Sequence, residues 1–129
     1  MPITAEARKA IFSTLKKTLE KYSPPMVAVK GTVHDYELIG NKPVPYGSTK
    51  KIVPGMFFAA LAHRKDSVTF HFFPCYMNRP ILDAAPALTR QLKGKTCFHF
   101  QKPEQVNVME LNALLRRGVQ AWEKLGYMA

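Results

Sequence analysis

Residues 56–73, MFFAALAHRKDSVTFHFF, decide the fold. Met56 to His63 and Ser67 to Phe73 are rich in aromatic and apolar residues. The Arg64-Lys65-Asp66 step between them has the length and polarity of a tight turn, so the stretch reads as a β-hairpin. Strand side chains alternate faces, which places Phe70 and Phe72 on one side and Thr69, His71 and Phe73 on the other. Neither side is purely polar, and both faces of the resulting sheet are expected to meet something.

Working outward, Lys95 to Gln101 alternates in the same way, with Thr96, Phe98 and Phe100 opposite Cys97 and His99, and predicts a further strand. Between the two β signals, Asn78 can cap a turn opened by Arg79-Pro80. Pro86 suits the first position of a second turn carrying Leu88 and Leu92, which Gly94 would close as a helix C-cap. Upstream, Met26 to Val29 and Val33 to Ile39 read as short strands. The segment Gly40 to Gly55, with Pro43, Pro45 and Pro54, reads as an extended surface loop.

Helices close both ends. Ala7, Ile11, Phe12, Leu15, Leu19 and Tyr22 recur three and four apart after Thr4, a suitable N-cap, and Ser23-Pro24-Pro25 stops the run. Near the other end, Asn107 and Glu110 have the spacing of a capping box. They open a helix with Val108, Leu111, Leu115, Val119, Trp122 and Leu125 on one stripe, ended by Gly126. The order is that of a single α+β domain over residues 1–129: an antiparallel sheet, N- and C-terminal helices and a short helical pair packed on one face.

With 129 residues, 47% of them hydrophobic, the chain can bury a core without disulfides or metals. Its longest apolar run, Met56 to Ala62, is far below the roughly 20 residues of a membrane span. The first residues lack the apolar core of a signal peptide, so the expected location is cytoplasmic. Cys75 and Cys97 form no Cys-x-x-Cys pair and are expected to be reduced, with packing as their role. Lysine and arginine number 19 against 9 carboxylates, a net charge of +10 that attracts anionic partners without specifying chemistry.

Two segments carry a resemblance: Phe70-His71-Phe72-Phe73-Pro74-Cys75-Tyr76 and Leu92-Lys93-Gly94-Lys95-Thr96-Cys97-Phe98-His99-Phe100. Together with the tail from Gly118 to Tyr127, they make the chain similar to the bacterial YdhG-like domains, a family of unknown function, over about Tyr36 to Tyr127. The resemblance implies helices packed on an antiparallel sheet and brings no established reaction or catalytic set. One branch of that family is described as frataxin-like and linked to iron delivery. Iron favours clustered oxygen ligands, and the carboxylates here are scattered among a majority of cations, so that role is not carried over.

His71, Cys97 and His99 share a strand face and would be cross-strand neighbours if their strands pair. A metal would need third and fourth ligands in register, and none is evident, so no metal and no cofactor is expected. A Cys-His nucleophile is outweighed by the tendency of a β-core cysteine to be buried and inert, and no enzyme activity is expected. Gly94-Lys95-Thr96 imitates the end of a phosphate loop, but Thr89 stands where the first glycine should be, so the nucleotide reading is rejected.

The leading expectation is a small-ligand or partner-binding face formed by Tyr36, Tyr46, His71, Phe73, Tyr76, Cys97 and His99, suited to a planar or anionic molecule. It competes with the loop from Gly40 to Gly55 covering that face. The alternative is binding of nucleic-acid backbone by Lys16, Lys17, Lys21, Lys50, Lys51, Arg64 and Lys65, with no helix-turn-helix or zinc-finger motif to support it.

Overall fold

The computed structural model describes residues 3–23, 26–31, 35–46 and 48–128. Helix α1 (Ala5–Glu20) leads into strands β1 (Val27–Gly31) and β2 (Asp35–Ile39), then a small hairpin of β3 (Val44–Tyr46) and β4 (Lys51–Val53). The central hairpin is β5 (Phe57–His63) and β6 (Val68–Phe72). Three short helical pieces follow: α2 (Pro74–Met77), a 3-10 segment (Arg79–Ala84) and α3 (Pro86–Thr89). Strands β7 (Leu92–Lys93) and β8 (Cys97–Phe100), a 3-10 turn (Pro103–Gln105) and helix α4 (Val108–Lys124) complete the chain.

Six strands form one antiparallel sheet in the order β1-β2-β5-β6-β8-β7, with β3 and β4 paired apart from it. Helices α1 and α4 pack on each other, α1 also rests on β5 and β6, and the short helices rest on α4. This is the expected α+β architecture, with the helical layer on one face. The β5–β6 hairpin forms where the sequence places it, closed by the Arg64 N–H donating to the Ser67 carbonyl at 2.8 Å.

The helix-facing rows run across the sheet. Tyr36, Leu61, Phe70 and Phe98 pair in register, as do Leu38, Ala59 and Phe72. Onto them α1 sets Ile11, Leu15 and Leu19, and α4 sets Leu111, Leu114, Leu115 and Trp122, all fully buried. Gly118 is where α4 comes closest: a Cβ there would stand 2.6 Å from Phe72 Cζ and 3.0 Å from Phe58 Cε1, so only glycine lets helix and sheet meet. The buried stripe therefore runs through Leu111, Leu114, Leu115, Gly118 and Trp122. Val108 and Leu125, placed on the stripe by spacing, are 40% and 48% exposed at its rim.

Local capping agrees with the sequence at Thr4, whose hydroxyl accepts from the Ala7 N–H at 3.0 Å. It departs from it at three places. Asn107 accepts from the Glu110 N–H, but the Glu110 carboxylate turns away from its own helix and accepts from the Ala87 and Leu88 N–H groups at 2.8 and 3.0 Å. Glu110 thus caps α3 across the tertiary contact instead of completing a local box. Asn78 makes no side-chain cap, and Pro at the first turn starts the 3-10 segment without one. Gly94 does have positive φ, +78°, but it serves the β7–β8 turn, because Leu92 and Lys93 pair with Phe98 and Cys97 instead of ending a helix.

The segment Gly40 to Gly55 is also more ordered than a surface loop. Val44 pairs with Val53 in the β3–β4 hairpin and is buried in the core, and Lys50 takes the left-handed backbone of its turn at φ +54°. Of the other expectations, Pro24, Pro25 and Val33 lie outside the described residues.

Candidate functional site

The face of the sheet opposite the helices carries two registered rows. One runs Glu37, Ala60, His71, Cys97, Lys93, and the other runs Asp35, Ala62, Thr69, His99. Strand β5 contributes only alanine to both rows, which leaves a shallow trough between the carboxylates of β2 and the imidazoles of β6 and β8. Phe57 closes one end of it, its ring 5.7 Å from that of His71. Beside Phe57, the hairpin residues Tyr46 and Val53 border a recess of about 390 Å³ with Glu37.

His71 is the most constrained group on this face. Its Nε2 lies 2.9 Å from Thr96 Oγ1 and its Nδ1 3.1 Å from Cys97 Sγ. Burial, reinforced by the positive charge of Arg64, lowers the His71 pKa, so the ring is neutral at neutral pH and can take up a proton. His99 is lowered in the same direction by burial, then by Lys93 and Arg64, and its Nδ1 lies 3.4 Å from Ser67 Oγ. Between the two imidazoles, Thr69 is 4% exposed and its hydroxyl has no hydrogen-bond partner among the described residues. A buried hydroxyl without a partner is uncommon, and with its oxygen closed to solvent it is a cost to the folded state.

The two cysteines differ. Cys75 is fully buried, its thiol donates to the Phe72 and Lys95 carbonyls at 3.1 and 3.3 Å, and burial pushes its pKa up to about 11. That is the packed, inert thiol the sequence leads one to expect at both positions. Cys97 is only half-buried and sits against His71.

Not every residue assigned to this face is there. His71, Cys97 and His99 are brought together, and Tyr46 borders the recess next to Phe57 with half of its surface exposed. Tyr36 pairs with Leu61 on the helix side, is 4% exposed and has Lys16 Nζ 5.9 Å from its ring centre, so it belongs to the core. The reason is parity: Glu37, not Tyr36, shares a row with Ala60 and His71. Phe73 bridges the two layers, tilted against Phe57 at 6.0 Å and edge-on to Trp122 at 6.1 Å. Tyr76 stacks on Phe73 at 5.7 Å, with Lys95 Nζ 5.3 Å from its ring centre.

Thr96, Ser67 and Phe57 escaped the sequence reading. Alternation puts Thr96 opposite Cys97, yet it precedes β8 in the tight β7–β8 turn, where the period of two does not hold and its hydroxyl reaches His71. Phe57 faces the trough because a bulge between Leu38 and Ile39 shifts the register of its strand by one residue.

The cationic residues are spread over α1 and its C-terminal end, the β3–β4 hairpin and the β5–β6 turn. Lys17, Lys21, Lys50, Lys51, Arg64 and Lys65 are exposed, and Lys16 is half-buried. Arg8 draws α1 and the β5–β6 turn together by donating to the Lys65 and Ser67 carbonyls at 3.0 and 3.3 Å. Arg8, Lys9 and Lys16 then line a groove of about 960 Å³ floored by Phe12, which stacks on His63 at 4.6 Å.

Among the described residues no group of three or more His, Cys, Asp or Glu side chains is arranged to hold a metal ion, and no helix is long and apolar enough to cross a membrane. The described residues form an α+β domain whose helices pack on one face of a six-stranded antiparallel sheet. Comparison of the chain with protein-family models, curated proteins and solved structures finds no match.

Proposed function

We propose that the chain is a small-ligand-binding accessory domain without turnover, and that its site is the helix-free face around His71, Cys97 and His99. The observation that carries this reading is their convergence beside Phe57. Two neutral imidazoles, an aromatic wall and the charges of Lys93 and Arg64 at the rim suit a planar anion. The resemblance to the bacterial YdhG-like domains, which bring no established reaction, is in keeping with an accessory role in the cytoplasm.

Ligand-observed NMR against a metabolite library tests the reading. Binding of planar anions that is lost in the His71→Ala, His99→Ala double variant is the expected result. Binding that survives both substitutions moves the site elsewhere.

A second reading, binding of nucleic-acid backbone, is favoured by one contact: Arg8 ties the β5–β6 turn to α1, so that Arg64 and Lys65 stand on the same rim as Arg8 and Lys9. Titration with short DNA and RNA at several salt concentrations separates it from the first. Backbone binding loses affinity with log salt at about −0.9 per phosphate neutralised on duplex DNA. Reversal of Lys16, Lys17 and Lys21 to Glu weakens such binding, whereas an unchanged affinity shifts the contact to Lys50, Lys51, Arg64 and Lys65.

A further inference from the structure

We propose that Cys97 captures its ligand covalently, as the nucleophile of a Cys97–His71–Thr96 relay that exchanges with low-molecular-weight anionic disulfides. The inference rests on the reading of the helix-free face as a binding site and adds the chemistry of the bond.

The three side chains come from adjacent positions in space and distant positions in sequence. His71 on β6 pairs across the sheet with Cys97 on β8, and Thr96 reaches the same ring from the β7–β8 turn. Thr96 occupies Nε2, so in the reactive tautomer Nε2–H donates to the Thr96 hydroxyl and the Nδ1 lone pair is left for the Cys97 thiol. Cys97 Sγ also lies 3.8 Å from Nε2 and 4.0 Å from Thr96 Oγ1, so the thiol and the hydroxyl stand on the same side of the ring.

The chemistry that fits is thiol–disulfide exchange. Attack on an acyl group needs donors arranged around an oxyanion, whereas exchange needs a thiolate, access and a stabilised leaving sulfur. His71 Nδ1 takes the Cys97 proton, Sγ attacks one sulfur of the disulfide, and the S–S bond breaks. A mixed disulfide forms on Cys97, and the second sulfur leaves as a thiolate with the bond's electron pair and collects the proton from His71. Cys97 is oxidised, the leaving half of the disulfide is reduced, and no other reactant is required.

The charged and titratable groups around this pair are Arg64 in the β5–β6 turn, Lys93 on β7, His99 on β8 and, across β5, Glu37 and Asp35 on β2, with Cys75 behind it. Arg64 and Lys93 set a positive potential at the imidazoles, which favours an anionic disulfide over a neutral one. Phe57 at 5.7 Å from His71 offers an aromatic surface to the arriving molecule. Cys75 takes no part as a resolving thiol, because it is sealed in the core and hydrogen-bonded to two carbonyls.

The test uses the intact folded protein with dithiobis-nitrobenzoate as the anionic aromatic disulfide and dithiodipyridine as the neutral one. At pH 7 one thiol per chain is expected to react at least tenfold faster than glutathione with the anionic probe, with the adduct mapped to Cys97 by mass spectrometry. Cys97→Ser abolishes the fast phase and Cys75→Ser keeps it. His71→Gln, close in shape to histidine but not a base, slows it at least tenfold and makes the rate follow thiol ionisation, about tenfold per pH unit, while circular dichroism confirms the fold. Thr96→Val slows it a few-fold, and Lys93→Gln narrows the preference for the anionic probe.

A Cys97 no faster than glutathione, or a rate and pH profile unchanged in His71→Gln, overturns the proposal. Binding of nitrobenzoate to the unreactive Cys97→Ser protein, followed by NMR, keeps the two readings apart. Slow exchange with retained binding removes the covalent step alone, and fast exchange without that binding removes the reversible site alone.

Discussion

The two faces of the sheet use the same strands for opposite ends. On the helix side Phe70, Phe72, Phe98 and Phe100 are fully buried in one core cluster with the apolar residues of α1 and α4. On the other side the residues between them, Thr69, His71, Cys97 and His99, are polar or titratable, and among the described residues no helix packs on them. Stability therefore resides in one row of each strand and chemistry in the next, one residue away. The two cysteines repeat the contrast, Cys75 sealed in the core and Cys97 half-open beside a base.

The sharpest way to break the comparison is Phe72→Ala. Phe72 is fully buried against Phe58 and under Gly118, so its truncation is expected to cost about 3–5 kcal/mol, measured as a shift in urea midpoint. The same measurement on His71→Ala with His99→Ala is expected to show a much smaller loss, and equal losses would make the two faces equivalent.

The Cys75 thiol sharpens it further. Its pKa is raised to about 11 by burial, so the folded state holds a proton that the unfolded chain releases above pH 9. That stability is fully present below pH 9 and is lost as pH rises towards 11, on the order of 1–2 kcal/mol. Tyr22 and Tyr36, also raised, add to the alkaline loss, and the share that Cys75→Ala removes is the thiol's own. An identical alkaline slope in that variant would contradict the assignment.

On the open face, Thr69→Val exchanges the partnerless hydroxyl for a methyl of the same shape. The variant is expected to gain about 1 kcal/mol in chemical denaturation, a rare case of a stabilising change at a ligand site. A loss of that size would mean the hydroxyl has a partner.

The smallest effect lies in acid. The lowered pKa values of His71 and His99 mean that the unfolded chain binds protons more readily below about pH 6.5. Their stability is present above that pH and declines as pH falls through the folded values. The urea midpoint should drop less between pH 7 and 5 in the double alanine variant than in the native protein.

The central hairpin, the terminal helices and the shared strand face of His71, Cys97 and His99 were legible in the sequence because each follows from a period, two in strands and 3.6 in helices. The Gly40 to Gly55 segment was not, since its prolines and glycines read as loop while Val44 pairs with Val53 only because the core receives it. Tyr36 was assigned to the open face although parity within β2 sends it to the helices. That could be known only once Glu37 had been placed opposite Ala60.

By itself, the sequence determined the alternation that separates Phe70 and Phe72 from His71, and the amphipathic helices able to cover one face, since these depend on local geometry and on the hydrophobic burial every chain seeks. Tertiary structure alone decided which face the helices took, that Glu110 would cap α3, and that a turn residue, Thr96, would reach the His71 ring beside Cys97. Those outcomes depend on the register between strands far apart in the chain and on bulges and turns where the local period fails, and register is set by the packing of the whole domain.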